Sequence, residues 1–513
     1  MRTLEALTII KVRCVLRKNQ VDENSNIYRL TDKSLQLSLL LLALCAPLSI
    51  AGTQIAWSLA LLFWLIRLAF VRPTFKTDGI TIAIIAFVGL TLVSSFFSYE
   101  PQVSLKKMVA VSLVTIVHLV AQNIRDTKMV RRAVVILLIS GTVAAAYAIG
   151  KFAIGTNLKV TKLTADSPLR PAGVQEGDTI LRANGQSVAS PDQLLAAVNG
   201  SPDGKAALRI YRYENILDYE MAATSTQPDS LTRFGIETWS RGRDVRASGF
   251  YGHYTTYAET AQLLASVALG LLIMAPGGLF ARNKLLLGAV LATFSFALFL
   301  TVTRASWAGF MISAAAMVLI GASRKVVIIC ILCAIPVAAG GLFYLQQKRN
   351  IGFVDTGDNS TTWRTTVWRE AVGVLASNPR HLALGVGMDS IKTHWQDWQM
   401  FDNGKLPIGH MHSNPIAFAF ERGLPALIAW VIWMFLYLRM LWRGFRRGEF
   451  DWFERGVLLG ALGGTVGFLA SGLVHYNWGD SEVVMIFFLL MGLSLSVISG
   501  GRIPHPSTDG QRA

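Results

Sequence analysis

Residues 79–98 read GITIAIIAFVGLTLVSSFFS, a run without one ionisable side chain. About twenty residues of α-helix span about 30 Å, the thickness of a bilayer's hydrocarbon core. This stretch therefore reads as a membrane-crossing helix. Similar runs recur near 34–52, 54–71, 106–122, 132–152, 257–275, 284–303, 305–322, 325–345, 415–438, 455–475 and 482–499, giving about twelve candidate spans. Of the 513 residues, 52% are hydrophobic and only 16% charged, against about 25% charged in a soluble globular chain. Mean hydropathy is +0.44. Disordered, collagen-like and disulfide-scaffold classes are excluded. The expected fold is an all-α polytopic transmembrane bundle of about 12 helices with a small all-β extracytoplasmic insert.

The net charge of +16 would suggest nucleic acid for a soluble protein. Here the basic residues crowd short loops between apolar runs, so the membrane surface is the expected partner and nucleic acid is not. With the N-terminus inside, Arg67, Arg72 and Lys76, then Arg125 to Arg132, Arg282 and Lys284, and finally Arg443, Arg446 and Arg447 all fall on the inner side. Both long polar stretches, near 153–256 and 346–411, then fall outside. The first residues lack the apolar core and cleavage site of a signal peptide and read as a basic tail. The expected layout is a cytoplasmic tail over 1–33, helices 1–5 over 34–152, an insert over 153–230, helices 6–9 over 231–345, an outer loop with an amphipathic helix over 346–411, helices 10–12 over 412–499, and a tail over 500–513.

The four cysteines imply no disulfide framework. Cys330 and Cys333 form a CxxC inside an apolar run, but a structural zinc site wants four ligands. No metal and no cofactor is expected.

The insert changes texture. Alternating runs such as LKVTKL and ALRIYRY suit strands. Between them stand Ser167-Pro168, Ala172-Gly173, Gly177-Asp178, an Asn184-Gly185 hairpin signal, and a helix opening after Ser190-Pro191. This order resembles a PDZ domain of the bacterial periplasmic kind. The resemblance implies a small β-barrel with a groove that takes a peptide by strand addition, so a peptide partner is one expectation and a mere spacer the other. Gly155 would open the groove loop.

Three outward features carry possible chemistry. In TRASWAGF, Arg304 stands at the edge of an apolar run, where an arginine either snorkels or faces a polar cavity. In TTWRTTVWREAVGVLASNPRHLALGVG, Arg364 and Trp368 have helical spacing, and Trp363 and Trp368 suit an interfacial helix. The glycines at 385 and 387 lack the strand–helix setting of a nucleotide loop. In HMHSNPIAFAFERGLPALIAW, His410 and His412 sit at the outer end of a span. Two residues apart, they would not share a helix face, though a loop could pair them. Glu421 and Arg422, about two turns in, are costly in a membrane unless they face the bundle interior, where ion pairs with neighbouring helices are the bland expectation.

Together these segments resemble the O-antigen ligase and polymerase family of bacterial membrane glycosyltransferases. The family pattern of His, then Asn, Ser or Gln, nine residues, then Gly is met by His412, Ser413 and Gly423. Ala426 departs from the small hydroxyl, aromatic or Gly residue often found three positions later. TRASW is similar to the family's Arg-containing span start, and Arg364 with Trp368 to its loop segment. RASGFYGHYTTYAE places Arg246 and Gly249, and VHYNWGDSEV places Asp480. The resemblance covers roughly 240–495, and the inserted domain departs from the usual plan.

The resemblance implies transfer of a polysaccharide from a polyprenyl diphosphate, such as undecaprenyl diphosphate, at the outer face of the bacterial inner membrane. The acceptor it implies is lipid A-core or another glycan, as in lipopolysaccharide biosynthesis. Arg304 and Arg364 would hold the diphosphate through charge-assisted bonds without a metal. His412 would be the general base. Arg246 and Asp480 would be further substrate contacts. A polymerase of the same superfamily and a protein O-oligosaccharyltransferase remain open readings. A transporter would want internal repeats and paired mid-membrane charges, and a scaffold would not need a dozen spans.

Overall fold

The computed structural model describes residues 26–70, 78–124, 126–200, 205–212, 215–222, 229–243, 246–324, 328, 339–340, 343, 359–447 and 449–500. Among the described residues ten helices are long and apolar enough to cross a membrane. The first part of the chain forms α1 (Asn26–Cys45), α2 (Ile50–Phe70), α3 (Gly79–Phe96), α4 (Pro101–Asn123, through a 3₁₀ turn at Ser112–Val114) and α5 (Thr127–Ile154). The inserted domain follows as β1 (Asn157–Leu163), β2 (Thr179–Ala183), β3 (Gln186–Ser187), α6 (Pro191–Asn199), β4 (Lys205–Arg212), β5 (Asn215–Ala222), α7 (Ser230–Phe234) and β6 (Ile236–Gly242). Then come α8 (Tyr254–Met274), α9 (Arg282–Leu300), α10 (Arg304–Gly321), α11 (Asn359–Ser377), α12 (Pro379–Leu384), α13 (Asn414–Arg447), α14 (Trp452–Ser471) and α15 (Ser481–Gly500).

Two expected spans need comment. The run at 34–52 is not one helix: α1 ends at Cys45 and α2 begins at Ile50. Pro47 lies between them, and a proline both disfavours helix in the residue before it and lacks the N–H to continue one. The span expected at 325–345 lies almost wholly outside the described residues.

The bundle closes on α8, α14 and α15. Residues Val483 to Ile498 of α15 are buried throughout. Glycines let α8 and α14 approach closely: a Cβ at Gly460 would stand 2.8 Å from the Val267 Cα, and one at Gly456 2.8 Å from that of Leu271. Such small-residue contacts replace the hydrophobic drive that a lipid surrounding removes. Leu59, Leu62 and Leu65 of α2, with Ile82 and Ile85 of α3, stay exposed, as suits a hydrocarbon-facing surface.

The ends of the helices sort by chemistry. At one end Arg67 pairs with Asp32 at 2.9 Å, and Arg131, near the start of α5, pairs with Asp451, just ahead of α14, at 2.9 Å. At the other end the starts of α8, α10, α13 and α15 meet the ends of α9 and α14. The Ala247 N–H bonds the Leu300 carbonyl at 3.1 Å, and the Asn414 N–H bonds that of Gly472 at 2.8 Å.

The insert is an antiparallel sheet in the order β5-β4-β2-β1-β6, with β3 paired to β2. Asn184 and Gly185 both take positive φ, 49° and 78°, at the β2–β3 turn, the geometry of a two-residue hairpin. The Ser190 side chain caps α6 by accepting from the Gln193 N–H, with Pro191 in the first turn. The domain extends past the expected boundary at 230. Phe234 and Ile236 are buried in its core, and β6 pairs along β1 from Asn157↔Gly242 to Leu163↔Ile236. The edge of β1 away from β2 is thus filled by the chain's own strand. Gly155 caps α5 with φ 76° and leads into β1.

Candidate functional site

The site is assembled around the loop that precedes α13. His412 sits in this loop with φ 46°, outside the helix that its apolar surroundings suggested. Asn414 ties the loop to the turn between α14 and α15. Its side-chain N–H₂ donates to Asn477 Oδ1 at 2.6 Å, and its Oδ1 accepts from the Trp478 N–H at 3.1 Å. Asn477 in turn donates to the Phe468 carbonyl at 2.9 Å. The stretch at 410–414 is therefore fixed against the stretch at 471–478.

Helix α11 holds the same loop from the other side. Trp363 donates its indole N–H to the Pro407 carbonyl at 2.9 Å, and Trp368 donates to that of Met411 at 2.7 Å. The Trp363 ring lies 4.9 Å from the His412 ring, edge to face. Arg364 is four residues before Trp368 and so shares its helix face. Its charge acts on both His412 and His475. Burial, then His410, then Arg364 press the His412 imidazole down to about 3. His412 is therefore neutral at pH 7. The His410 and His412 rings stand 4.1 Å apart, since the loop allows the approach that a helix would forbid. No group of three His, Cys, Asp or Glu set to hold a metal occurs among the described residues.

Gly423 explains its own place in the sequence pattern. It breaks α13 with φ 82° and ψ 167°, a conformation essentially reserved to glycine. The break lets the stretch at 385–387 dock on it, with the Val386 N–H bonding the Phe420 carbonyl at 2.8 Å and the Gly387 N–H that of Glu421 at 2.9 Å. A Cβ on Gly423 would stand 2.5 Å from the Ala383 carbonyl oxygen. The span expected at 415–438 lies within α13 and carries this break inside it. The expected pairing of Glu421 and Arg422 with other helices is corrected. Both instead reach the Tyr476 hydroxyl, which donates to Glu421 at 3.2 Å and accepts from Arg422 at 3.3 Å. The Arg422 guanidinium also covers the Phe418 ring at 4.7 Å.

The start of α8 supplies the third wall. Arg246 lies over the Tyr254 ring at 4.3 Å. Thr256 donates to Asp480 Oδ2 at 2.8 Å. Burial, with the nearby Glu259, raises the Asp480 carboxyl to about 6. Arg304 is the first residue of α10, half-buried, just beyond the Leu300 carbonyl that Ala247 bonds. Connectivity thus puts Arg304 at the same end of the bundle as Arg246. Arg364, Arg246 and Asp480 act electrostatically on His475, and Arg364 also acts on His412.

Two residues that the sequence reading passed over complete the cluster. His475 Nδ1 is 2.9 Å from Glu259 Oε1, and both residues are buried. Both stand in the quoted segments VHYNWGDSEV and RASGFYGHYTTYAE. A carboxylate inside an apolar run was a readable signal, because such a group is costly in a membrane without a purpose.

Residues 287–431 match the family model described as O-antigen ligase, and residues 159–212 match that of the PDZ domain. The first match contains Arg304, Arg364 and His412. The second covers the sheet from β1 to β4. No curated protein matches the chain.

Proposed function

We propose that this chain, a multi-pass membrane protein carrying an O-antigen ligase domain over 287–431 and a PDZ domain over 159–212, is a glycosyltransferase of the bacterial inner membrane. Its donor is a glycan on a polyprenyl diphosphate, its acceptor a lipid A-core saccharide, and its site opens to the periplasm. The observation that carries this reading is the convergence of Arg364 and His412 on one enclosed loop, with Arg304 at the start of α10 and Arg246 in the stretch ahead of α8 at the same end. The arginines at 67 and 131, which mark the inner side by the positive-inside rule, lie at the opposite end.

The chemistry follows from the side chains. The acceptor hydroxyl attacks the anomeric carbon, its C–O bond forms, and the sugar–phosphate bond breaks with the electron pair leaving on the diphosphate. Arg304 and Arg364 hold the developing negative charge in a low-dielectric setting, where fixed cations act most strongly. No metal is required for that role. His412, neutral at pH 7, receives the hydroxyl proton as general base. Arg246 and Asp480 contact the phosphate or sugar.

A polymerase using the same donor shares every one of these roles and differs only in acceptor. Protein glycosylation would draw on a peptide at the inserted domain, and β6 already fills the outer edge of β1. The test substitutes Arg304, Arg364 and His412 singly by Ala. Each variant should lose glycan transfer by about 100-fold or more with protein level and donor flux across the membrane intact. Loss of flux instead would favour a transporter. In cells lacking the protein, accumulation of full-length chains on the lipid carrier supports the ligase reading, and accumulation of single repeat units supports a polymerase.

A further inference from the structure

The loop that carries His412 is pinned on both sides of that residue. Trp368 bonds the Met411 carbonyl at 2.7 Å, and the Asn414 N–H bonds the Gly472 carbonyl at 2.8 Å. His412 itself stands in the left-handed region with φ 46°, which a residue with a Cβ seldom occupies unless its surroundings hold it there. A local bond does so: the His412 N–H donates to His410 Nδ1 at 3.3 Å. A side-chain acceptor that takes the N–H two residues on is the arrangement of an Asx turn, in which Asn or Asp closes the ring with an oxygen. Here an imidazole nitrogen closes it. To accept, Nδ1 must keep its lone pair, so His410 is held neutral with its proton on Nε2.

The ring of His410 is itself backed. It lies 4.1 Å from the His412 ring and 5.6 Å from that of Tyr476. The Tyr476 hydroxyl is bonded by both Glu421 and Arg422. A line of contacts thus runs from the two charges inside α13, through Tyr476 and His410, to the His412 ring. Trp363, fixed by its bond to the Pro407 carbonyl, meets the same ring edge-on at 4.9 Å. His410 is exposed, so removing its ring opens no hole in the core.

We propose that His410 is the positioning residue of His412: through Nδ1 it closes the turn that aims the base at the acceptor hydroxyl, and it touches no reacting atom itself. This rests on the glycosyltransferase reading, in which His412 is the base. It adds a residue outside the family pattern, which begins at His412. What position 410 must supply is an acceptor for the N–H two residues on, and the ring is secondary.

The test measures kcat for glycan transfer by the purified full chain, with binding of labelled undecaprenyl diphosphate as a second readout. His410→Phe keeps a ring but offers no acceptor. Its kcat should fall about 10- to 100-fold, the size expected when a catalytic group is misplaced by about 1 Å, with carrier binding unchanged. His410→Asn supplies the oxygen of an Asx turn and should keep most of the wild-type rate. His410→Gln, one methylene longer, cannot close the same ring and should be as slow as His410→Phe. Placed on His412→Ala, His410→Phe should cost nothing further, because it acts through the residue already removed. Should His410→Phe fail to accumulate, the Asn and Gln variants decide. Wild-type kcat in His410→Phe and His410→Gln, or His410→Asn as slow as they are, would overturn the role of His410. With His412→Ala still inactive, either result leaves the glycosyltransferase reading standing. Full transfer by His412→Ala would instead overturn His412 as the base.

Discussion

With Thr164 Oγ1 as the exception among the described residues, the inserted domain satisfies its buried polar groups and the outer end of the bundle does not. In the insert, Asp178 is buried and fully used: Arg212 grips both its oxygens at 2.7 and 2.6 Å, and one oxygen also accepts from the Gln175 N–H. Asn184 likewise spends both ends of its amide on the Ala197 carbonyl and the Ala207 N–H. In the bundle, Glu259 Oε2, both side-chain polar atoms of Gln262, Ser306 Oγ and two nitrogens of Arg422 lie buried without a partner among the described residues. Each such atom costs about 1–3 kcal/mol. A fold retains that cost where the groups serve something other than the fold. The insert is built to persist, and the bundle end, on the proposed function, to receive charge.

The sharpest way to break this comparison is at two glycines. Gly423 and Gly185 both have positive φ, 82° and 78°. At Gly423 an added methyl meets the Ala383 carbonyl at 2.5 Å, while at Gly185 it meets nothing within 4 Å. Gly423→Ala should undo the docking of the stretch at 385–387 and reduce transfer by about 100-fold or more, since a misplacement of about 1 Å at a site costs that much. Transfer assays on membranes with matched protein level check this. Activity near wild type would mean that the break in α13 is not needed to place His412.

Arg212→Ala comes next. It strands the buried Asp178 carboxylate and should cost the insert about 3 kcal/mol. Urea-dependent proteolysis of the full chain would read this as cleavage within the insert at lower denaturant. Glycan transfer in the absence of urea should stay at wild-type level, the reverse of what Arg364→Ala does. The ends of the insert meet at the Asn157↔Gly242 pair, so residues 157–242 can be excised and the chain rejoined over a short gap. Stopping such a deletion at 225 would strand Phe234 and Ile236, which belong to the insert's core.

Much of this contrast was legible in the sequence, for physical reasons that differ by region. The spans declared themselves because twenty apolar residues have few other uses, and the hairpin and helix cap of the insert because turn chemistry is local. The break at Gly423 was not legible, since hydropathy is blind to a backbone angle. Nor was β6, whose partner β1 lies more than seventy residues earlier and whose exposed positions interrupt the alternation expected of a half-buried strand. Arg304, Arg364 and His412 were singled out through their motifs. The Glu259–His475 contact joins residues 216 apart, and no pattern along the chain encodes such a meeting.

Asp480 offers a pH test of the same contrast. Its carboxyl is raised to about 6 by burial, from about 3.9 in an unfolded chain. The native state therefore binds this proton more tightly than the unfolded state. The stability that Asp480 contributes is present below about pH 4 and is lost as the pH rises through 6. Asp480→Asn keeps an acceptor for Thr256 and removes the titration. Thermal unfolding in detergent should show wild type losing stability relative to this variant between pH 4 and 7. Parallel curves would mean that the carboxylate is solvated, and the site less enclosed than its geometry implies.

The smallest effect belongs to the insert. Gly185→Ala meets no neighbour, so its cost is the left-handed backbone alone, about 1 kcal/mol. That is too little to unfold a domain whose core runs from Leu158 to Ile236, and it should appear only as a small shift in the same urea-dependent proteolysis, with transfer unchanged. The value of the experiment lies in its pairing with Gly423→Ala. If two glycines with nearly equal φ differ by this much in consequence, the difference must come from what each one lets approach. At Gly185 nothing approaches, and at Gly423 the loop behind the site does.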